Sequence, residues 1–334
     1  MLDRRYRLLN FIGSGSFGEV WVARDQETDL DVAVKIYVAM DEKGLEDFKK
    51  EFQLSFDFNH TNLLHANYLG VNSEDRRPYL VMPYCPDGSV SRFAGNMPED
   101  KLWQFVHDVA AGLAYLHAQT PPVIHQDIKP DNILILKSGD YVITDFGISK
   151  KLRQSLRQGA AELNSAGAIS YMGPERFSKN FQAVKASDIW SFGAAIYELA
   201  TGDVPFCGLG GSLQKQGADM PELPMEFSEE LNIVCISCLA KETWDRPSAA
   251  QLRDYAAQVI SSADGSKPAI PWHHDVAQRV PDDAPEAAVQ EEAAAQEEAA
   301  VQEEASPAGV VDNIDAPAKS GFVASEKLQD KEAK

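Results

Sequence analysis

Between His125 and Gly147 the sequence concentrates the groups that phosphate and metal chemistry requires. The run His125-Gln126-Asp127-Ile128-Lys129-Pro130-Asp131-Asn132 is followed by Asp145-Phe146-Gly147, with eighteen residues from Asp127 to Asp145. Amide and carboxylate oxygens are hard ligands of the kind that Mg2+ takes when it bridges ATP phosphates. Across a short hairpin Asn132 and Asp145 can reach one region, and Asp127 would then accept a hydrogen bond from a hydroxyl. Loop carboxylates that cap turns explain any one of these residues but not the set.

Two further features lie upstream. Gly13-Ser14-Gly15-Ser16-Phe17-Gly18-Glu19-Val20 falls between two strand-like runs, so its glycines would sit in a hairpin whose backbone NH groups can approach phosphate oxygens. Such a pattern also opens dinucleotide-binding folds, but those need a helix straight after it, and Glu19 to Ala23 reads as strand. Lys35 ends the run Val32-Ala33-Val34. A lone lysine there is ordinarily solvated. Glu51 gives it meaning, because it sits beside Phe52 on a helix face turned to the sheet, where an ion pair could hold Lys35 against phosphates. A desolvated pair of this kind needs a third charge to justify it.

The elements that must position these groups change in texture along the chain. Leu8 to Gly13, Glu19 to Arg24, Val32 to Val38 and Tyr79 to Met82 have strand patterns, and Leu45, Phe48, Phe52 and Phe56 recur at helical spacing. From Pro98 onward helices dominate, with Leu102, Phe105, Val106, Val109, Leu113 and Leu116 on one face. Ile133 to Leu136 and Tyr141 to Thr144 read as a hairpin through Lys137-Ser138-Gly139-Asp140. Asp188 to Leu199 is apolar nearly all round, as a helix buried in a core would be. The expected fold class is α+β: a small β-rich lobe with one helix, about residues 1–84, then a larger helical lobe, about 85–261.

As a set, these motifs resemble the eukaryotic-type serine/threonine protein kinase family, whose signatures are GxGxxGxV, VAIK, HRDLxxxN, DFG and APE. The likeness runs from about Tyr6 to Val259. It implies a bilobal kinase fold using ATP and Mg2+, with Asp127 as catalytic base, Lys129 beside it, Lys35 on the α- and β-phosphates and Glu51 as its partner on a regulatory helix. Asn132 and Asp145 would hold the metal. Gly13, Ser14, Gly15, Ser16, Phe17 and Gly18 would cover the phosphates. Met82 resembles the gatekeeper and Pro83 and Cys85 the hinge, with Val20, Ala33 and Leu134 packing on the adenine ring. Lys129 matches the serine/threonine rather than the tyrosine group, and Gly173-Pro174-Glu175 stands for APE, its glutamate expected to pair with Arg246.

Three positions depart from that family. Gln126 replaces the arginine of HRD, which removes the cation that pairs with a phosphorylated activation loop, so control by loop phosphorylation is not expected. Ala168 stands where many members carry a threonine bonded to the catalytic aspartate, and Ser55 is polar where an apolar residue packs behind the site. The alternative to an active kinase is a pseudokinase or ATP-dependent scaffold.

Bulk properties narrow the partners. The 334 residues, 44% hydrophobic, suffice for a large core, and the net charge of −20 argues against nucleic acid. No run approaches the roughly 18 to 20 apolar residues of a membrane span, and Met1-Leu2-Asp3-Arg4-Arg5 leads into no signal core, so a cytoplasmic location is expected. The four cysteines fit a reducing compartment. Cys235 and Cys238 are spaced CxxC in an apolar helical run, which reads as buried helix cysteines rather than a metal site. Residues 262–334 carry 16 acidic and 6 basic residues and three six-residue repeats between Ala287 and Glu304. That period gathers no apolar face, so a disordered acidic tail with a possible binding partner is expected. The substrate would be a protein bearing serine or threonine.

Overall fold

The computed structural model describes residues 1–15, 18–56, 58–146, 169–179, 181–262 and 267–272; for residues 15, 51, 54 and 55 it describes the backbone alone. The acidic repeats, and with them the expectation of disorder, lie outside the described residues.

Five antiparallel strands form the first lobe: β1 (Tyr6–Gly15), β2 (Gly18–Asp25), β3 (Leu30–Tyr37), β4 (Tyr68–Val71) and β5 (Pro78–Pro83), in the order β1-β2-β3-β5-β4. Alternation along β2 and β3 turns Ala23, Val34 and Ile36 onto a core with Leu2, Tyr6, Tyr79 and Val81. Helix α1 (Glu42–Phe56) packs Phe48 edge-on against Tyr37, ring centroids 4.7 Å apart. The short edge strand β4 carries no sequence signal of its own. Four residues with a central glycine do not spell a strand, and Gly70 is required there because a Cβ would lie 2.2 Å from the Tyr79 ring.

The second lobe is built on α2 (Glu99–His117) and α3 (Lys185–Thr201), with a hairpin of β6 (Ile133–Ile135) and β7 (Tyr141–Ile143) at its upper edge. Glu99 and Asp100 in the first turn of α2 suit the positive end of its dipole. Helix α3 stops where Gly202 takes φ 84°, a left-handed cap open to glycine. Helices α4 (Gly211–Lys215), α5 (Glu229–Cys238) and α6 (Ala249–Ser261) complete the lobe, and Ser248 and Gln251 form a reciprocal capping box at the start of α6. Trp190, Phe192, Leu199, Leu102, Phe105 and Leu113 share one continuous core. Cys235 and Cys238 are fully buried within it as free thiols on α5.

The lobes are stitched beside the hairpin. Ile143 N donates to Asn62 O at 2.9 Å, Leu64 N to Ile143 O at 2.8 Å, and Asn62 Nδ2 to Tyr141 O at 3.0 Å. Among the described residues no helix is long and apolar enough to cross a membrane.

Packing continues past residue 261, where the sequence pattern places the end of the folded lobe. Ile270 and Trp272 are 6% and 4% exposed in the large core, and the Trp272 and Tyr255 rings meet edge-on at 5.5 Å. Lys267 Nζ lies 2.8 Å from Glu99 Oε1 and 3.3 Å from Glu230 Oε2. Two apolar side chains in a proline-containing stretch are too few to register as periodicity, yet Trp272 anchors the segment to α6 and Lys267 ties it to α2.

Candidate active site

The loop preceding β6 is fixed by a carboxylate that belongs to α3. Asp188, fully buried, accepts from His125 N at 2.8 Å and Gln126 N at 2.7 Å, and its Oδ2 lies 2.9 Å from His117 Nε2. Burial pushes the Asp188 carboxyl up, but the His117 partner, charge nearby and the Gln126 amide outweigh it and hold the group below its usual range. The His125 ring reads as the Nε2–H tautomer: Nε2 donates to Thr144 O at 2.9 Å and Nδ1 accepts from Asp127 N at 3.2 Å. This framework holds Gln126 at φ 65° and Asp145 at φ 64°, left-handed backbone that residues with a Cβ adopt only where surroundings dictate it.

Asp127 stands at the centre. Asn132 Nδ2 donates to both Asp127 O (2.7 Å) and Oδ2 (3.0 Å), and Lys129 Nζ lies 3.5 Å from Asp127 Oδ1. Thr144 N donates to Asn132 O at 2.9 Å, so the hairpin brings the residue before Asp145 onto Asn132. From the other lobe Lys35 Nζ reaches Asp145 Oδ2 at 2.6 Å, with the lysine side chain 10% and the aspartate side chain 26% exposed. Four of the polar residues singled out in the sequence thus meet as two bonded pairs, Asp127 with Asn132 and Lys35 with Asp145. The Glu51 side chain lies outside the described residues, as do Ser16, Phe17, Gly147 and Ala168 and the side chain of Ser55. Phe146 is buried, with the Phe58 ring 6.4 Å away and Tyr115 beyond it.

Above the site, β1 and β2 pair through Gly15 and Gly18. Gly18 is obligatory: at φ 145° a Cβ would stand 2.0 Å from Ile36 O. A Cβ at Gly13 would meet nothing within 4 Å, so the protein's own packing does not require glycine there, and the bare backbone suits a ligand lying beneath it. Ala33, Met82 and Cys85 form one buried cluster with Leu64 and Val142, against which Leu134 packs half-buried. Val20 is half-buried opposite Lys35 in the ladder, and Pro83 is exposed opposite Val32. Burial, together with the Asp87 charge, raises the Cys85 thiol pKa, which keeps it a neutral apolar wall.

Downstream, Glu175 and Arg246 form the expected pair, with NH1–Oε1 3.1 Å and NH2–Oε2 2.9 Å. Burial pushes Glu175 up, and the Arg246 guanidinium more than offsets it, leaving the carboxyl below its usual value. Arg176 NH1 donates to Gln126 O at 3.0 Å. The Tyr171 hydroxyl donates to Glu198, whose own carboxyl is pushed up by burial. Sequence reasoning placed Asp188 on a buried helix but missed its part in the site, and Arg176 had no signal beyond its type, an arginine next to a motif.

The protein kinase domain family matches residues 6–256 of the chain. Sporulation-specific protein 1 of Saccharomyces cerevisiae is 32% identical over 76% of this chain and 52% of its own length. MAP3K epsilon protein kinase 2 of Arabidopsis thaliana is 32% identical over 75% of this chain and 18% of its own. Serine/threonine-protein kinase PrkC of Bacillus subtilis is 28% identical over 80% and 42%. The matches thus span between about a fifth and about half of those relatives' lengths.

Proposed function

Because the chain belongs to the protein kinase family, we propose that it acts as a serine/threonine kinase, passing the γ-phosphate of ATP to a protein hydroxyl. The observation that carries this reading is the pairing of a buried Lys35 ammonium with Asp145, which directly follows Thr144, whose amide bonds the same Asn132 that steadies the Asp127 carboxylate. A desolvated cation paired with a carboxylate has little value for stability, since such pairs at best break even. It has value where polyanionic charge must be received.

In this mechanism Asp127 accepts the hydrogen bond of the incoming hydroxyl and orients its oxygen, and Lys129 balances the charge on Asp127. Lys35 holds phosphate oxygens and is itself held by Glu51 on α1. Gly13 to Gly18 close over the phosphates, and Ala33, Met82, Cys85, Leu134 and Val20 exclude water from the adenine, which bonds the backbone of Pro83 and Cys85. The donor set fits a divalent metal, Mg2+ by preference: the Asn132 amide nitrogen is committed to Asp127, so the group offers its oxygen alongside the Asp145 carboxylate. When bound, that metal supplies charge neutralisation for the phosphates. The free cysteines favour a reducing compartment, the cytoplasm.

The experiment is Mg2+-dependent transfer from labelled ATP to the protein or a generic acceptor, followed by identification of the labelled amino acid. Phosphoserine or phosphothreonine supports the reading. Nucleotide binding without transfer would make the protein a scaffold, the alternative to which Gln126, Ala168 and Ser55 point.

A further inference from the structure

The peptide joining Gln126 to Asp127 is gripped at both polar ends. Its NH, on Asp127, donates to His125 Nδ1 at 3.2 Å, and its carbonyl, on Gln126, accepts from Arg176 NH1 at 3.0 Å. One residue earlier, Gln126 N is fixed by Asp188 at 2.7 Å while Gln126 itself sits at φ 65°. Relaxation of that left-handed residue would rotate the next peptide plane and swing the Asp127 carboxylate with it. The imidazole is a neutral acceptor at the longer of the two contacts. The guanidinium bond is charge-assisted, the stronger kind.

Arg176 is well placed to hold this grip. It follows Glu175, whose bidentate pair with Arg246 fixes the 3-10 turn Pro174–Phe177, and its guanidinium carbon lies 5.6 Å from the Phe181 ring centroid. Gln126 brings no positive charge of its own, so the cation at this junction comes from beyond the Gly173-Pro174-Glu175 motif. We propose that Arg176 is a positioning residue for phosphotransfer: it locks the plane of the Gln126–Asp127 peptide, and so the aim of Asp127, to the segment following that motif. The inference rests on Asp127 as the base.

The test compares full-length wild type, Arg176→Ala and Arg176→Lys by steady-state kinetics and by amide hydrogen exchange. A misaimed base lowers turnover without touching nucleotide affinity, so R176A should lose about 10- to 100-fold in kcat with the ATP KM within about twofold. R176K, which keeps a cation and one donor, should recover part of it. The Asp127 amide should exchange at least about tenfold faster in R176A while α6 amides stay unchanged. In a Gln126→Gly background, where φ 65° carries no strain, R176A should cost several-fold less. A kcat within about twofold of wild type, an equal loss in both backgrounds, or unchanged Asp127 exchange would overturn the proposal. Should R176A fail to fold, R176K read the same way decides. Should wild type transfer no phosphate, the kinase reading falls, and the exchange comparison alone judges Arg176.

Discussion

Lys35 Nζ and Asp145 Oδ2, 110 positions apart in sequence, meet at 2.6 Å across the two lobes. The pair is only partly solvated, so it orders the site at some cost in desolvation. Lys35→Met, Asp127→Asn and Asp145→Asn should each lower phosphate transfer by at least about a hundredfold while leaving circular dichroism and a cooperative melt intact. These groups place charge and fill no core. D145N should also reduce the rise in melting temperature that Mg-ATP produces. Near wild-type turnover in any of the three would sink the assignment.

Arg246 carries a different kind of importance. Its side chain is fully buried and makes five hydrogen bonds: two to Glu175 and one each to Ala186, Ala240 and Lys241 carbonyls. Arg246→Ala leaves the Glu175 carboxylate and three carbonyls without that partner and should cost about 3–5 kcal/mol in chemical denaturation. Lysine cannot reproduce the fork, so R246K should rescue little. A loss below about 1 kcal/mol would show that water replaces the guanidinium.

The segment around Trp272 sets the boundary of the stable domain. Truncation after Ser261 removes Ile270, Trp272 and the Lys267 ion pairs, and Trp272→Ala alone should cost about 3–5 kcal/mol. Truncation after Trp272 should leave the melting temperature within a degree or two of the full chain, because the acidic repeats offer no apolar face. Equal melting temperatures for the two truncations would contradict this.

Glu99 gives that contact a pH signature. Burial pushes its carboxyl up, but Lys267, Ser228 and Trp103 overcome this and pull it from 4.5 down to about 2. A depressed native pKa means the unfolded chain binds more protons, so the contribution is complete above pH 4.5 and is lost as pH falls toward 2. The stability gap between wild type and Glu99→Gln should therefore be largest near neutrality and shrink at pH 3. A gap independent of pH would mean that Glu99 contributes shape rather than charge.

The motifs were legible because their chemistry is local: Asp127 to Asn132 and Gly13 to Gly18 are set by spacing along one stretch of chain. The lobes were legible for the same reason, since β2, β3, α1 and α2 carry their own periodicities. What stayed hidden depends on distant partners. Nothing in the apolar run around Asp188 says that its carboxylate caps the His125 and Gln126 amides, and nothing in β4 predicts a strand until β5 supplies the hydrogen bonds. Trp272 looks like tail until Tyr255 is beside it, and Arg176 gains meaning only once Gln126 O lies 3.0 Å away.

Regulation is where Gln126 bears most directly. With arginine at that position the segment between DFG and APE waits for a phosphate, whose charge of about −2 the guanidinium binds bidentately. Glutamine cannot do this, and the Gln126 backbone is instead held by Asp188 and Arg176, neither of which needs a phosphate. The segment between Gly147 and Gly173 holds four serines, of which Ser149, Ser155 and Ser165 lie outside the described residues. Ser170 is 5% exposed and donates to Gly208 O at 2.9 Å, so its hydroxyl belongs to the fold. Activity should therefore be constitutive, or set by a partner that steadies the Glu51 helix. Phosphatase-treated enzyme and a Ser149→Ala, Ser155→Ala, Ser165→Ala variant should match untreated protein on an outside substrate within about threefold, less than 1 kcal/mol of barrier. Ser170→Ala is a poor control for this purpose, because it should lower stability whether or not the loop is modified. A loss above about tenfold in both preparations, roughly 1.4 kcal/mol, would mean that a phosphate switch operates here without the arginine, with Lys150, Lys151, Arg153 or Arg157 as the cations that bind it.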